Sequence, residues 1–425
     1  MRHLLEQWMA RLARGVIERQ QPRVIGITGS VGKTSTKEAI RAVLAATARV
    51  RSAPKNYNNE IGLPVSIIGG TAPGSSLVAW AVLLLRGMQQ QWVRRTSYPE
   101  ILVLEYGADH PGDLAHLVQI AQPQIGVVTA VGPAHTEFFR TIDRVIAEKQ
   151  RLVEGLPRDG VAVLNADDAH VMRMRTHTRA QVVTYGFSES ADIRGAEYQV
   201  AWQQEVPTGI AFKVLAEGSA VPIHLRGCLG TSHASAALAA AAVGLALRQN
   251  LVAISHALEQ YVPPPSRMCM LAGIKRTILI DDSYNASPLA VMSALEAVGE
   301  LRTQGRRIVV LGDMLELGPL TESEHVHVGE RVAELHPDYF VVVGEAMRGA
   351  AARARESGMP EDRVLMFRTA PEAGRYVQDL LASGDVVLVK GSQGMRMERV
   401  VVELMAEPLR KAELVCRQDP AWDRR

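Results

Sequence analysis

Cysteine and aromatic residues are scarce in this chain. Its 425 residues include three cysteines, and aromatic side chains make up 5%. The cysteines lie far apart and form no CxxC pair, which argues against a zinc site and a disulfide framework and favours reduced thiols in a cytoplasmic protein. The low aromatic content also argues against a surface that stacks nucleic-acid bases. The three cysteines are Cys228, Cys269 and Cys416.

An excess of charge of one sign is also missing. The chain has 47 Lys and Arg against 45 Asp and Glu, so it has no general signature of polyanion binding, and we expect no nucleic-acid partner. The first twenty residues carry charges every few positions instead of a continuous apolar segment, which excludes a secretory signal. They predict a short amphipathic helix that leads into the first strand of a cytosolic protein.

The segment "LVAWAVLLLRGMQQQWVRR" at 77–95 is apolar but too short to cross a membrane. It begins with nine apolar residues, whereas a spanning helix needs about 20. Its tryptophans and arginines would suit a helix that lies on anionic lipid. We favour the alternative, a helix packed on the protein's own core, because apolar stripes usually face cores. The residues in question are Trp80, Arg86, Trp92, Arg94 and Arg95.

Alternating strand and helix patterns predict an α/β fold. Apolar, often β-branched runs end in glycine or polar residues at 23–28, 100–107, 125–132 and 160–168. Helix-like segments lie between them, so we predict a mostly parallel sheet with ligands at the carboxyl ends of its strands.

The pattern of apolar and polar residues changes from residue 183 onwards. Residues 183–227 alternate in the manner of an antiparallel patch, and the alanine-rich residues 235–250 predict a helix. The three consecutive prolines in "YVPPPSRM" at 261–268 cannot continue a helix, so we place the main domain boundary there. Four more strand-like runs follow, which predicts a second α/β domain.

The segment "GITGSVGKTST" at 26–36 has the character of a phosphate-binding loop. It departs from the pattern G-x-x-x-x-G-K-[ST], because Ile27 stands where the first glycine should be. Its two other glycines would let backbone N–H groups turn towards an anion at the start of a helix. Lys33 would neutralise phosphate charge, and the Thr34 hydroxyl would be a Mg²⁺ ligand. The predicted phosphate-binding residues are Thr28, Gly29, Ser30, Val31, Gly32, Lys33, Thr34 and Ser35.

Several further residues are weak signals by themselves. Glu105 ends a strand, where it could reach the same Mg²⁺ or could be a solvated or helix-capping acid. Asn58 and Asn59 are ordinary turn residues in isolation. His135, just past a strand end, would more often be structural than a metal ligand, and Lys149 would ordinarily lie on the surface.

In combination and in this order, the motifs resemble the Mur ligase family. T-G-S-x-G-K-T, N-x-N-N-E-I-G-x-P, L-E-x-G-A, A-H-x-E, E-K and N-A-D-D are similar to its central domain. "SRM", "DDSYNASP", "VVLGDMLELG", "ESEHVHVGE" and "VKGSQGMRMERVV" continue the resemblance to about residue 405. The family uses T-G-x-x-G-K-T, so Ile27 is not a defect. The resemblance implies an N-terminal helix at 1–22, a P-loop central domain with a mostly parallel sheet at 23–260, and a Rossmann-like α/β domain at 261–425.

The resemblance also implies a reaction. Members of the family use ATP and Mg²⁺ to turn a substrate carboxylate into an acyl phosphate, which an amine then attacks to form a peptide bond. "DDSYNA" and "LGDMLELG" resemble the branch that adds D-Ala-D-Ala to a UDP-N-acetylmuramoyl-tripeptide in peptidoglycan precursor synthesis. The implied partners are a muropeptide donor and a D-Ala-D-Ala acceptor, bound by a monomer.

Single residues take roles from the same resemblance. Lys33, Glu105, His135 and Lys149 would be catalytic, and the last three would attend Mg²⁺ together with Thr34. Lys149 matches the carbamylated lysine of the family, and its reaction with CO₂ requires a neutral amine. Nucleotide contacts would come from Arg267, Asp282 and Tyr284, and substrate contacts from Asn58, Asn59, His325, Lys390 and Ser392.

Three features depart from the family pattern. His233 and Ala236 stand where the asparagines of H-N-x-x-N are usual, which puts adenine selectivity in question. Gln393 replaces a common arginine in "KGSQG". Only 27 residues precede Thr28, so we expect recognition of the UDP group to be reduced or supplied elsewhere.

Other functions remain open at this point. A different amide ligase on the same scaffold, of the folylpolyglutamate or poly-γ-glutamate type, would keep the ATP site and change the acceptor. A non-catalytic nucleotide-binding partner is a further alternative, although Glu105, His135 and Lys149 argue against it. A P-loop GTPase is disfavoured because the chain has no N-K-x-D guanine motif.

Overall fold

Two β-sheets, each with helices packed on both faces, organise the part of the chain that the structure describes. The computed structural model describes residues 2–53, 57–71, 73–74, 76–133, 136–419 and 422. The strands of the first sheet are β1 Arg23–Thr28, β2 Val50–Ser52, β3 Ile101–Glu105, β4 Ile125–Val128, β5 Val161–Asn165, β6 Gln181–Gly186, β7 Ile193–Gln203, β8 Val206–Ala216 and β9 Ser219–Arg226.

The first sheet is parallel over most of its width. Its strand order is β2-β3-β1-β4-β5-β6-β7-β8-β9, and only the pairs β7–β8 and β8–β9 are antiparallel. The accompanying helices are α1 Arg2–Gln20, α2 Lys33–Ala45, α3 Gly62–Ile68, α4 Leu77–Trp92, α5 Asp113–Ile120, α6 Thr136–Phe139, α7 Ile142–Glu154, α8 Ala169–Met172, α9 Thr231–Ala246 and α10 Leu251–Leu258, with a 3₁₀ turn at Arg173–His177.

Both faces of this sheet are buried, which explains the continuous apolar runs of its central strands. Ile25 and Ile27 of β1 belong to the core beneath α2 and α9. Val24, the residue before Ile25, belongs to the core on the other face with α5 and α7. β1 lies between β3 and β4, so the carboxyl ends of these three strands meet at one edge.

The second sheet has six strands and lies after the three prolines. The elements are β10 Cys269–Ala272, β11 Ile278–Asp282, α11 Pro288–Gly299, β12 Arg307–Gly312, α12 Thr321–Leu335, β13 Tyr339–Val343, α13 Met347–Glu356, β14 Val364–Phe367, α14 Ala370–Leu380, β15 Val386–Lys390, α15 Glu398–Leu404 and α16 Lys411–Leu414, with 3₁₀ turns at Ile274–Arg276, Gly318–Leu320, Glu361–Arg363, Gln393–Met395 and Pro408–Arg410. The strand order is β10-β11-β15-β12-β13-β14, and only β10 is antiparallel to its neighbour. Helices α11–α13 share a core on one face, and α14 and α15 share one on the other.

The predicted fold class is confirmed. The four apolar runs of the first half form β1, β3, β4 and β5, and the alternating segment contains the antiparallel strands β7–β9. The alanine-rich helix is α9, which begins at Thr231, four residues before the predicted start. The three prolines lie between α10 and β10, where the chain passes from one sheet to the other.

Helix α4 departs from the expectation of a helix packed on the core. Along its length only Leu83, Gly87 and Gln90 are buried, on the side that packs against α1 and α3. The opposite face is apolar and exposed. Among the described residues, no helix is both long enough and apolar enough to span a bilayer.

Candidate active site

The loop between β1 and α2 has the backbone geometry of an anion-binding turn. Gly29 has a φ of 141°, and a Cβ there would lie 2.0 Å from Thr129 Oγ1. Gly32 precedes α2 with a φ of 89°, again in the region that favours glycine. Both glycines of the predicted loop are therefore required by conformation, and Gly29 also by space.

The end of β4 and the segment after it hold this loop in place. Thr129 Oγ1 donates to Val31 O at 2.6 Å. Ser30 N donates to Ala130 O at 2.6 Å, and Ser30 Oγ donates to Gly132 O at 3.0 Å. The loop thus keeps its shape through contacts outside itself, so the N–H groups at the start of α2 are oriented in advance.

Lys33, the first residue of α2, lies across the loop. Its Nζ donates to Gly29 O at 2.6 Å and to Ser30 O at 3.3 Å. Burial lowers the pKa of Lys33, and the nearby Glu105 carboxylate opposes that shift. The amine is therefore placed where a phosphate held by the loop would meet it.

Glu105 and Thr34 meet at the carboxyl end of β3. Thr34 Oγ1 lies 3.4 Å from Glu105 Oε2, and both side chains are buried. Glu105 Oε1 accepts no hydrogen bond, although Lys37 Nζ lies 3.2 Å from it. Mg²⁺ in phosphate-transfer sites takes one or two protein oxygens and completes its shell with phosphate oxygens and water. This donor pair fits that requirement.

Lys37 is a site residue that the sequence analysis missed. Its side chain is buried beside Glu105, and its Nζ also donates to Ala53 O at 2.7 Å. The available signal was its position one helical turn after Lys33, because residues four apart in a helix share a face. A lysine on the buried face of a helix is expected to pair with an acidic side chain, because burying an unpaired charge is unfavourable.

Lys149 is buried on α7, contrary to the ordinary expectation of a surface lysine. Its Nζ lies 3.5 Å from Ala108 O. Burial, and next the charge of Lys33, lower the pKa of Lys149 to about 7, while Asp109 and Glu148 oppose the shift. Much of this amine is therefore neutral near pH 7, which is the form that reacts with CO₂.

A small cleft joins Lys33 and Lys149. Asn58 and Asp109 also line it. Asn59 is placed differently, because its Oδ1 accepts from Gly62 N at 2.8 Å at the start of α3. His135, the remaining predicted catalytic residue, lies outside the described residues.

Arg267 connects the region after the prolines to the phosphate loop. Its Nη2 donates to Thr34 Oγ1 at 3.2 Å, and its guanidinium lies 4.0 Å from the centroid of the Tyr284 ring. Arg417 stacks on the same ring at 4.9 Å and forms a buried 2.9 Å ion pair with Glu398. Arg267 and Tyr284 are therefore held together next to the loop.

Arg267 is one of the residues that line a second cleft. Asp282 and Lys390 line it together with Ser35 and His233. Lys390 Nζ donates to Asp282 Oδ2 at 2.5 Å, and this pair joins the ends of β11 and β15. Tyr284 instead lines the cleft beside Lys37, so the two residues predicted near the ribose and adenine face different clefts.

His233 fixes the backbone that carries Arg267. Its Nε2 lies 2.7 Å from Arg267 O, so Nε2 carries the proton and donates. Its Nδ1 then accepts from the Tyr261 hydroxyl at 2.9 Å. Ala236, one turn further along α9, is buried and offers no polar side chain. His233 therefore acts here by positioning Arg267.

Acid should destabilise the protein through His233. Burial lowers the pKa of His233 to about 4, so the folded protein keeps it neutral while the unfolded chain takes a proton below about pH 6.5. The stabilisation that depends on a neutral His233 is complete above about pH 6.5 and is lost as the pH falls to about 4. The free energy of unfolding decreases by about 3 kcal/mol over that range. The same window contains an opposite effect from Asp281, whose pKa burial raises to about 6.

A comparison with His233→Asn isolates this effect. We expect the free energy of unfolding in urea to fall less between pH 7 and pH 4.5 in the variant than in the wild type, because asparagine does not titrate. Equal losses in the two proteins would show that His233 is not held neutral.

The remaining predicted acceptor residues support the loop after β12. Met314 N donates to His325 Nε2 at 3.0 Å, and His325 Nδ1 donates to Thr321 O at 2.6 Å. Ser392 Oγ accepts from Leu315 N at 2.9 Å. His325 is fully buried with both ring nitrogens engaged, so it shapes this loop and does not reach a cleft directly.

The fold and these contacts define a nucleotide-dependent α/β enzyme whose site lies between two sheets. The model of the Mur ligase middle domain matches residues 27–75 and 86–244, and that of the Mur ligase, glutamate ligase domain matches 266–393. The chain belongs to the Mur ligase family, whose members are ATP-dependent ligases.

Similar proteins support the same assignment. UDP-N-acetylmuramoyl-tripeptide–D-alanyl-D-alanine ligase of Bacillus subtilis is 28% identical over 401 residues, which cover 94% of this chain and 80% of the relative. The Mycobacterium tuberculosis protein of that name is 32% identical over 403 residues, covering 90% and 73%. The crystal structure of MurF ligase from Thermotoga maritima in complex with ADP has a TM-score of 0.78 and 27% identity, and the match covers 96% of this chain and 84% of that one.

Proposed function

We propose that this protein joins D-Ala-D-Ala to a UDP-N-acetylmuramoyl-tripeptide at the expense of ATP. The observation that supports this most strongly is the meeting of Lys33, the pair Thr34–Glu105 and Arg267 at one loop, with Lys149 across the adjacent cleft. The relatives named for this reaction cover most of the chain. As a monomer in the cytoplasm, the enzyme would have direct access to ATP.

The first chemical step requires two anions to approach each other. A carboxylate oxygen of the tripeptide attacks the γ-phosphorus of ATP, and the bond from phosphorus to the bridging oxygen breaks, which yields an acyl phosphate and ADP. Lys33 Nζ lies over the phosphate loop, and Arg267 donates to Thr34 Oγ1 beside it. Both cations would stabilise the charge that builds on the transferred phosphoryl group.

In the second step the amine of D-Ala-D-Ala attacks the acyl carbon. The bond from that carbon to the phosphate oxygen breaks, so inorganic phosphate leaves and one amine proton is released. Excluding water from the acyl phosphate is essential, since hydrolysis would waste ATP. Glu137 N donates to Glu316 O at 3.2 Å, which brings the loop after β12 against α6. This contact would help to exclude water from the acyl phosphate.

Magnesium would be held by Thr34 and Glu105, and Lys149 as a carbamate would add an oxygen ligand. Bound there, Mg²⁺ would neutralise phosphate charge and polarise the phosphoryl group. His135 stays a predicted ligand by resemblance alone. Among the described residues, no group of three or more His, Cys, Asp or Glu side chains forms a metal site.

Acceptor recognition belongs, in this proposal, to the loop after β12 and the segment after β15. His325 and Ser392 fix the loop through Met314 N and Leu315 N. Gln393 N lies 3.2 Å from Asn285 Oδ1, so its backbone is tied while its side chain is exposed to the cleft beside Tyr284. A neutral amide there can donate to a carboxylate, but without the charge of arginine.

An acceptor panel tests the proposal. We expect phosphate release and a ligated product with the UDP-muramoyl-tripeptide, ATP and D-Ala-D-Ala. With L-Ala-L-Ala the rate should fall by about 100-fold, because inverting the configuration of both residues misplaces the amine. A protein that instead extends folate with L-glutamate, or releases phosphate without any donor, would contradict the proposal.

A further inference from the structure

The exposed face of α4 is an apolar stripe. Successive residues of a helix are about 100° apart around its axis, so eight residues of α4 share an arc of about 140° on this face. Seven of them are apolar, and Gln89 is the exception. Leu77, Val82, Leu85 and Trp92 are 60–83% exposed. A surface helix normally puts such residues towards the core. The full stripe comprises Leu77, Val78, Ala81, Val82, Leu85, Met88 and Trp92.

Helix α1 extends this stripe. The two helices run in the same direction, because Gly15 approaches Gln91 and Leu12 approaches Gly87. Trp8 lies two turns before Gly15 on the same side of α1, and it is 66% exposed. An aromatic side chain with both apolar and polar character thus stands beside the first half of α4.

Arginines border the stripe. Residues 5–20 and 77–95 contain six arginines and two glutamates, whereas the whole chain has a net charge of only +2. Among the described residues, no carboxylate forms an ion pair with Arg86, Arg94 or Arg95. Arg94 and Arg95 also line a cleft with Arg23 at the carboxyl end of α4. The apolar surface therefore has a strongly basic rim.

Five of the seven stripe residues lie outside the part of the chain that the family model matches. The family model leaves residues 76–85 unmatched, and these form the first half of α4. The buried side of the helix, through Leu83, packs with Leu12, Val65 and Ile68, so the stripe is attached firmly to the body that carries the phosphate loop. An apolar face that the core does not cover needs another occupant.

We propose that α4 and the adjoining side of α1 bind the surface of an anionic lipid bilayer. The apolar stripe lies at the boundary of headgroups and acyl chains, the tryptophans sit at the interface, and the arginines meet lipid phosphates. A second copy of this chain is a poorer occupant. A two-fold contact through the stripe would bring the arginine-rich rims against each other, which is unfavourable.

Vesicle sedimentation with the full chain tests this inference. We expect the wild type to sediment at low salt with vesicles of phosphatidylcholine mixed with phosphatidylglycerol, and only weakly with phosphatidylcholine alone. The double variant Val82→Glu/Leu85→Glu should lower the bound fraction by about tenfold or more. Arg86→Gln/Arg94→Gln should weaken binding and reduce its dependence on salt.

Val252→Glu is the matched control, because Val252 is 52% exposed on α10 and bears the same change on another helix. It should bind vesicles as the wild type does, and all three variants should keep full ligase activity in solution. Absence of sedimentation at low salt, or equal binding by the Val82→Glu/Leu85→Glu protein, would overturn the inference. So would a wild-type dimer in ultracentrifugation that this double variant abolishes while neither protein binds vesicles.

Discussion

Replacing Lys33 by alanine should lower kcat by about 1000-fold, the loss typical of removing a group that stabilises transition-state charge. Lys33 Nζ lies over the loop within 2.6 Å of Gly29 O. Lys37 cannot replace this charge because it lies against Glu105. Arg267, which donates to Thr34 Oγ1, already acts on the phosphoryl group in the wild type and cannot make up for the loss. Steady-state phosphate release with both substrates measures the effect.

The matched control is Lys213→Ala, because that lysine pairs with Glu197 on an exposed part of the first sheet. It should leave kcat unchanged. If Lys33→Ala kept activity within about threefold, the loop would not be handling the transferred phosphate. The variant has a second expected consequence, since loss of the Lys33 charge removes one cause of the lowered pKa of Lys149.

Replacing Lys149 by alanine should abolish ligation while ADP still binds. The phosphate loop does not depend on this side chain, whereas a carbamate on Lys149 would add an anionic ligand for Mg²⁺. Formate or acetate should restore part of the rate, because a small carboxylate can occupy the space left by the lysine. We expect an affinity for ADP close to that of the wild type by calorimetry, with turnover lost.

Lys149→Arg is the control for this experiment, since arginine keeps the charge, fills the space and cannot react with CO₂. It should be inactive and should gain nothing from formate. The wild-type rate should also decline as the pH falls below about 7, where Lys149 becomes protonated. A fully active alanine variant would rule out the carbamate.

The strand–loop–helix geometry of the predicted phosphate loop could be read from the sequence because its sequence signal is local. Strand, glycine turn, Lys33 and helix follow each other within a few residues, and the structure places them in that order. The position of Glu105 near the loop could also be predicted, because parallel strands bring their carboxyl ends to one edge of the sheet. Its partner Lys37 was missed because its role depends on a contact across 68 residues of sequence.

Other contacts join distant parts of the chain, so no local sequence pattern predicts them. His233 was noted only as a departure from a motif, and its link to Arg267 O and Tyr261 appears only once α9 and the proline segment meet. The stacking of Arg417 on Tyr284 joins positions 133 residues apart. The burial of His325 could not be predicted either, because the sequence of a polar helix does not indicate which elements pack over one of its histidines.

Helix α4 shows a different limit. Its composition predicts a helix with an apolar stripe, and a helix is found. Whether the stripe faces a core depends on which elements lie opposite, and that is a property of the whole fold. Here α1 and α3 cover only the narrow side around Leu83 and Gly87.

Transfer of oxygen from the donor to phosphate tests the central claim most directly. If the terminal carboxylate of the UDP-muramoyl-tripeptide carries ¹⁸O in both positions, each ligation should leave one ¹⁸O atom in the released phosphate and one in the new amide. Product and labelled phosphate should appear together and only when D-Ala-D-Ala is present. Phosphate without label would contradict the account, because it would mean that water, and not the substrate carboxylate, receives the γ-phosphoryl group of ATP.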